Sequence, residues 1–119
     1  MPWSTHNVNT ASKDLYDQIL EKREDLFPQQ TILFQIAASI GLKRGEKKKL
    51  NGKTYPLVKT TAEAFDRNEV LKNIMNEKYP EKTEKEILTI LEEYAESGIQ
   101  VIYTELSKTG TFDIEQYLE

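Results

Sequence analysis

The residues best placed to do chemistry in this chain are lysines, gathered in one stretch. From Lys43 to Lys59, 17 residues hold Lys43, Arg44, Lys47, Lys48, Lys49, Lys53 and Lys59 against the single acid Glu46. Seven cations and one anion put this stretch at +6, so the other residues carry −10 to reach the net −4 of the chain. An ammonium group is a compact point charge that attracts phosphate oxygens or carboxylates and reads no base edge. The stretch therefore reads as a surface for DNA backbone or for an acidic protein partner. Its plainer reading is an exposed loop whose lysines only keep the surface soluble. Tyr55 beside the lysines could stack on a base, although an aromatic in such a loop more commonly anchors it to the core. Few Arg or Asn side chains accompany the lysines, so any DNA binding would be weak in sequence preference and steeply salt-dependent. The sequence pI near 5.2 lies far from the value above about 9 usual for a dedicated nucleic-acid-binding domain.

Other chemistries find little support. His6 is the one histidine and there is no cysteine, which leaves no His/Cys metal site, no thiolate nucleophile and almost no histidine acid–base catalysis. No glycine-rich phosphate loop, dinucleotide turn or nucleophile elbow is present. The neighbouring acids Glu92-Glu93 and Glu24-Asp25 read as solvated helix faces. The expectation is a non-enzymatic binding protein with no cofactor and no metal. Its longest apolar run, Ile32–Leu42, is interrupted by Gln35 and Ser39 and falls short of the roughly 20 residues that span a bilayer. With no basic and apolar leader pattern at Met1–Asn7, a soluble cytoplasmic protein without membrane partners is expected.

The elements that would position the lysines follow from periodicity and punctuation. A chain of 119 residues with 38% hydrophobic content suffices for one domain with one core. Residues 1–11 are polar and aperiodic and read as a flexible N-terminal arm, and residues 12–119 as a single helical domain. Ser12 caps a first helix with Leu15, Ile19 and Leu20 on its apolar side, ended by Pro28. Thr31–Leu42 is apolar on nearly every face and reads as the most buried helix, closed by Lys43, Arg44 and Gly45. Asn51-Gly52 signals a tight turn, so a basic loop or short β-hairpin should follow this second helix. Asp66 would cap a helix to about Tyr79 with Val70, Leu71, Ile74 and Met75 inward. Thr83 and Glu86 have capping-box spacing ahead of Ile87, Leu88, Leu91 and Tyr94. Gly98 would close that helix. Residues 99–106 suggest a fifth helix or a strand, and 112–118 a short final helix. The expected fold is mainly α, a compact single domain of five to six helices. A structural interaction module or homodimer acting through helix faces, without nucleic acid, is the alternative.

Phe34-Gln35-Ile36-Ala37-Ala38-Ser39-Ile40-Gly41-Leu42-Lys43-Arg44-Gly45-Glu46-Lys47-Lys48-Lys49-Leu50 resembles the F-x-x-A-A-x-[LI]-G-[FY]-K-x-G-x-[KR]-x-x-L signature of the small accessory proteins of the dnd DNA-phosphorothioation system. Ala64-Phe65-Asp66 and Ile90–Ile99 run in the same order as later features of that family. This chain departs from the pattern in its longer lysine run and its extra N-terminal arm. The resemblance implies a small helical protein serving DNA modification, restriction and antiviral defence. It carries over no catalytic residue.

Overall fold

The apolar run predicted to be most buried forms the spine of the molecule. In the computed structural model, which describes residues 3–23, 27 and 29–112, this run is helix α2 (Gln30–Arg44), with Leu33, Phe34, Ala37, Ala38, Ile40 and Gly41 buried. It packs on α4 (Glu84–Thr109), and theirs is the most extensive contact between any two elements. Small residues allow this closeness. A Cβ on Gly41 would stand 2.1 Å from the carbonyl oxygen of Tyr94, and one on Gly98 would stand 1.8 Å from that of Ala37. The two backbones therefore touch, and only glycine fits at either point.

This crossing corrects two expectations. Gly98 does not end a helix; it lies inside α4, which runs 26 residues, and the fifth helix expected over 99–106 is its continuation. A glycine costs a helix interior about 1 kcal/mol relative to alanine. Here the cost is offset by contact with α2 and by burial of the following turn at Ile99 and Ile102. Four helices are present among the described residues, where five or six were expected. The final helix expected over 112–118 lies, from 113 onward, outside the described residues, as does Pro28.

The N-terminal arm, expected to be loose, forms strand β1 (Asn7–Thr10) instead. It pairs antiparallel with β2 (Tyr55–Lys59) in the register Asn7 to Lys59, Val8 to Val58, Asn9 to Pro56 and Thr10 to Tyr55, with an irregularity between Val8 and Asn9. No hairpin forms around Asn51-Gly52: the partner of β2 is nearly fifty residues upstream, not next in sequence. Pro56 is tolerated because a two-stranded ribbon consists only of edges. Such a ribbon is marginal alone, and burial supports it. Val8 is fully buried, and Trp3 packs edge-on against Phe65.

Helix α1 (Lys13–Lys22) buries Tyr16 and Ile19, and α3 (Val70–Lys78) buries Leu71 and Met75. The capping box of α4 is present as the spacing predicts: Thr83 Oγ1 accepts from Glu86 N–H and Glu86 Oε1 accepts from Thr83 N–H. These bonds hold the Glu86 carboxyl below its ordinary range. Glu69, not Asp66, holds the N-cap position of α3, yet Asp66 satisfies its first turn from three residues upstream, with Oδ1 accepting from Leu71 N–H and Oδ2 from Lys72 N–H. The chain reaches this geometry through left-handed backbone at Asp66 and Glu69, with φ of 45° and 55°. Val70 and Ile74, expected to face inward, are 55% and 44% exposed. No described helix is long and apolar enough to cross a membrane.

Candidate functional site

The end of α2 sets the position of the first lysines. Gly45 takes left-handed backbone with φ 67°, and its N–H and that of Glu46 return to the last carbonyls of α2. This glycine-based cap reverses the chain and lays residues 46–48 against α4, where Lys48 N–H donates to the Glu93 carbonyl at 3.0 Å. Lys47 Nζ sits 5.9 Å from the centre of the Tyr94 ring, at the outer reach of a cation–π contact. Tyr94 is itself fixed by a 2.7 Å hydrogen bond with Tyr79; burial and this bond push its hydroxyl up to about 12. Lys43 and Arg44, in the last turn of α2, are exposed at the negative end of the helix dipole.

Between this reversal and α4 runs an open groove of about 750 Å³. Arg44, Lys47 and Lys48, with Glu46 among them, form one wall; Ser97, Gln100 and Thr104 of α4 form the other, together with the acid Glu105. Arg44 lies 3.4 Å from Glu46 in an exposed pair. Lys43, Lys47, Lys48 and Lys49 are exposed, and none makes an ion pair with a described carboxylate.

The remaining residues of the basic stretch are placed elsewhere. Lys53 Nζ lies 5.2 Å over the ring of Tyr55, and both line a separate hollow with Lys13, Asp14 and Asp17 of α1. Tyr55 is 40% exposed; it is held by its pairing with Thr10 and covered in part by a lysine of its own chain, not sunk into the core. Lys59 is at the far end of β2, opposite Asn7. The seven cations are thus contiguous in sequence but divided in space. The cluster of Lys43, Arg44, Lys47 and Lys48, continued by Lys49, is the candidate site.

Glu92, which sequence reasoning placed on a solvated face, does different work together with two further acids of α4. Glu84, Glu92 and Glu96 lie along one side of α4 and grip residues 4–12. Glu84 Oε1 accepts from Ser4 N–H at 2.7 Å and meets His6 Nε2 at 3.1 Å. Glu92 Oε2 accepts from Asn9 N–H at 2.6 Å. The buried Glu96 accepts from the Thr10 hydroxyl at 2.9 Å, from Ala11 N–H at 3.2 Å and from the Ser12 hydroxyl. Burial pushes the Glu92 carboxyl up to about 7, against the pull of the Asn9 bond. Burial also acts on Glu84, but the Ser4 N–H and the Lys72 ammonium outweigh it and hold that carboxyl below its ordinary range. Burial and the neighbouring Glu96 keep the Tyr16 hydroxyl neutral. The multiples of four separating 84, 92 and 96 were the available signal that these acids share a face. Among the described residues no group of three His, Asp or Glu is arranged to hold a metal ion.

Comparison with family models, with curated proteins and with solved structures finds no match.

Proposed function

We propose that this protein is a non-enzymatic binding protein that docks the phosphate backbone of DNA on the cationic edge formed by Lys43, Arg44, Lys47, Lys48 and Lys49. The observation that carries the reading is the fixed, unneutralised placement of Lys47 and Lys48. Lys48 N–H is bonded to the Glu93 carbonyl of α4 and Lys47 lies over the Tyr94 ring, while neither ammonium group has a described carboxylate partner. Fixed cations on a rigid scaffold lose less freedom on meeting phosphates than lysines on a free loop would. The lining of the groove offers no open aromatic face for base stacking, so the contact is to backbone and carries little sequence information. The resemblance of residues 34–50 to accessory proteins of DNA phosphorothioation favours the same ligand and a role in DNA modification and defence.

The test is fluorescence anisotropy with duplex DNA of arbitrary sequence at several salt concentrations. Four or five phosphate contacts predict a log–log salt slope of about −4. Combined K47E, K48E and K49E should abolish binding with the thermal midpoint preserved. A salt-independent affinity, or unchanged binding by the triple variant, defeats the proposal.

A further inference from the structure

We infer, on the DNA-backbone reading of the lysines, that α4 supplies the second half of the same site: Ser97, Gln100 and Thr104 donate hydrogen bonds to the phosphates that Arg44, Lys47 and Lys48 attract from across the groove. Ser97, Gln100, Val101 and Thr104 follow one another at spacings of three, one and three, which sets them on one face of the helix. That face lines the groove of about 750 Å³ together with the lysine segment. The wall begins one helical turn beyond Glu93, whose carbonyl holds Lys48 N–H. From Ser97 to Thr104 it runs about 10 Å along the axis, the rise of roughly three nucleotides of one DNA strand.

The donors of this wall are uncommitted. Three other helix hydroxyls bond back to the carbonyl four residues earlier: Ser39 to Gln35 at 2.8 Å, Thr89 to Lys85 at 3.1 Å and Thr109 to Glu105 at 2.9 Å. The hydroxyls of Ser97 and Thr104 do not, and with the Gln100 amide they make no hydrogen bond to a described residue. Thr104 is exposed, and Ser97 and Gln100 are half-buried, so each remains open to a ligand. A hydroxyl offers one donor and a primary amide two, and phosphate oxygens accept from such side chains as well as from cations.

The acids of the groove limit where the phosphates sit. Glu46 lies 3.4 Å from Arg44 and is paired with it. Glu105 follows Thr104 at the end of the wall farthest from Lys48. The phosphates therefore gather toward Ser97 and Gln100, away from Glu105.

Neutral donors and cations leave different marks on binding. A neutral donor adds affinity at every salt concentration, whereas each lysine on a phosphate steepens the log–log salt slope by about one. In fluorescence anisotropy with duplex DNA, Ser97→Ala and Gln100→Ala should each weaken binding about fivefold. Thr104→Ala, beside Glu105, should cost less, and the triple variant about thirtyfold, all with the wild-type salt slope. Lys47→Ala should instead flatten the slope by about one. Alanine is the best helix former, so the thermal midpoint of the α4 variants should not fall. Thr89→Ala removes a hydroxyl of the same helix outside the groove and should bind as wild type does. Wild-type affinity in the triple variant overturns the second wall and leaves the lysine reading standing. A flattened slope in the triple variant, or an equal loss in Thr89→Ala, overturns it as well. Absence of salt-dependent binding by the wild type overturns the DNA reading itself, and this wall with it.

Discussion

Helix α4 holds two neighbours by opposite means. Against α2 it offers Gly98 and the backbone at Tyr94, and the contact is buried and close enough that peptide groups touch. Against residues 9–12 it offers Glu92 and Glu96, and there the contact is a row of hydrogen bonds to carboxyl oxygens. The first contact is governed by volume and the second by proton occupancy and donor geometry. One helix therefore carries a seam indifferent to pH and a seam responsive to it. The exposed lysines of the 43–49 segment belong to neither seam: they meet α4 through the Lys48 N–H on Glu93 and through Lys47 over the Tyr94 ring.

The largest effect should come from the volume-limited seam. Gly98→Ala improves helix propensity by about 1 kcal/mol, yet the added methyl meets the Ala37 carbonyl. A net loss of about 4 kcal/mol is expected in urea unfolding; a gain would show that the helices can part at no cost. Glu96→Ala comes next, with about 3 kcal/mol lost as two hydroxyls and one N–H lose their acceptor. Glu96→Gln should retain part of this, which separates loss of the acceptor from loss of charge.

Glu92→Gln is smaller and opposite in sign near neutrality. The folded-state carboxyl at about 7 stands above its unfolded value of 4.5. Its contribution is therefore fully present below about pH 4.5 and lost as pH rises through 7. Partial exposure screens the cost of the ionised form to about 1 kcal/mol. The Gln variant should be more stable than wild type by that amount at pH 8 and equal to it at pH 4, as read from denaturant midpoints across pH. The smallest effect is expected from Lys47→Ala with Lys48→Ala, whose unfolding free energy should stay within about 0.5 kcal/mol of wild type. A larger loss would place the lysines among the contacts that hold α4.

The parts legible in the sequence were those fixed by local bonding. The Thr83–Glu86 box, the Gly45 reversal and the Asp66 cap each join residues within six positions of one another, and spacing alone reveals them. The parts that escaped depend on distant partners. Gly98 has the residue type of a helix end, and only the approach of Ala37, sixty-one positions upstream, makes it a packing residue. Asn7–Thr10 has no amphipathic period of its own and becomes a strand because Tyr55–Lys59 and two glutamates of α4 complete it. Val70 and Ile74 share the helical period of Leu71 and Met75, and sequence cannot tell which of two adjacent apolar stripes meets the core. The candidate site was legible as a charge excess; its division in space, with Lys53 beside Tyr55 and Lys59 beyond them both, follows from β2 running away from the α2 reversal.

The grip of α4 on the N-terminal residues also dictates a timetable. Ser4, His6 and Thr10 find partners on α4 80, 78 and 86 positions later in the chain. A ribosome delivers the amino end first and those acceptors last, so the opening segment must wait, unsatisfied, until most of the polypeptide has emerged. Closing such long loops is slow compared with winding helices. The ribbon is thus expected to be the last piece to lock during biosynthesis, and the first to come free under mild denaturation.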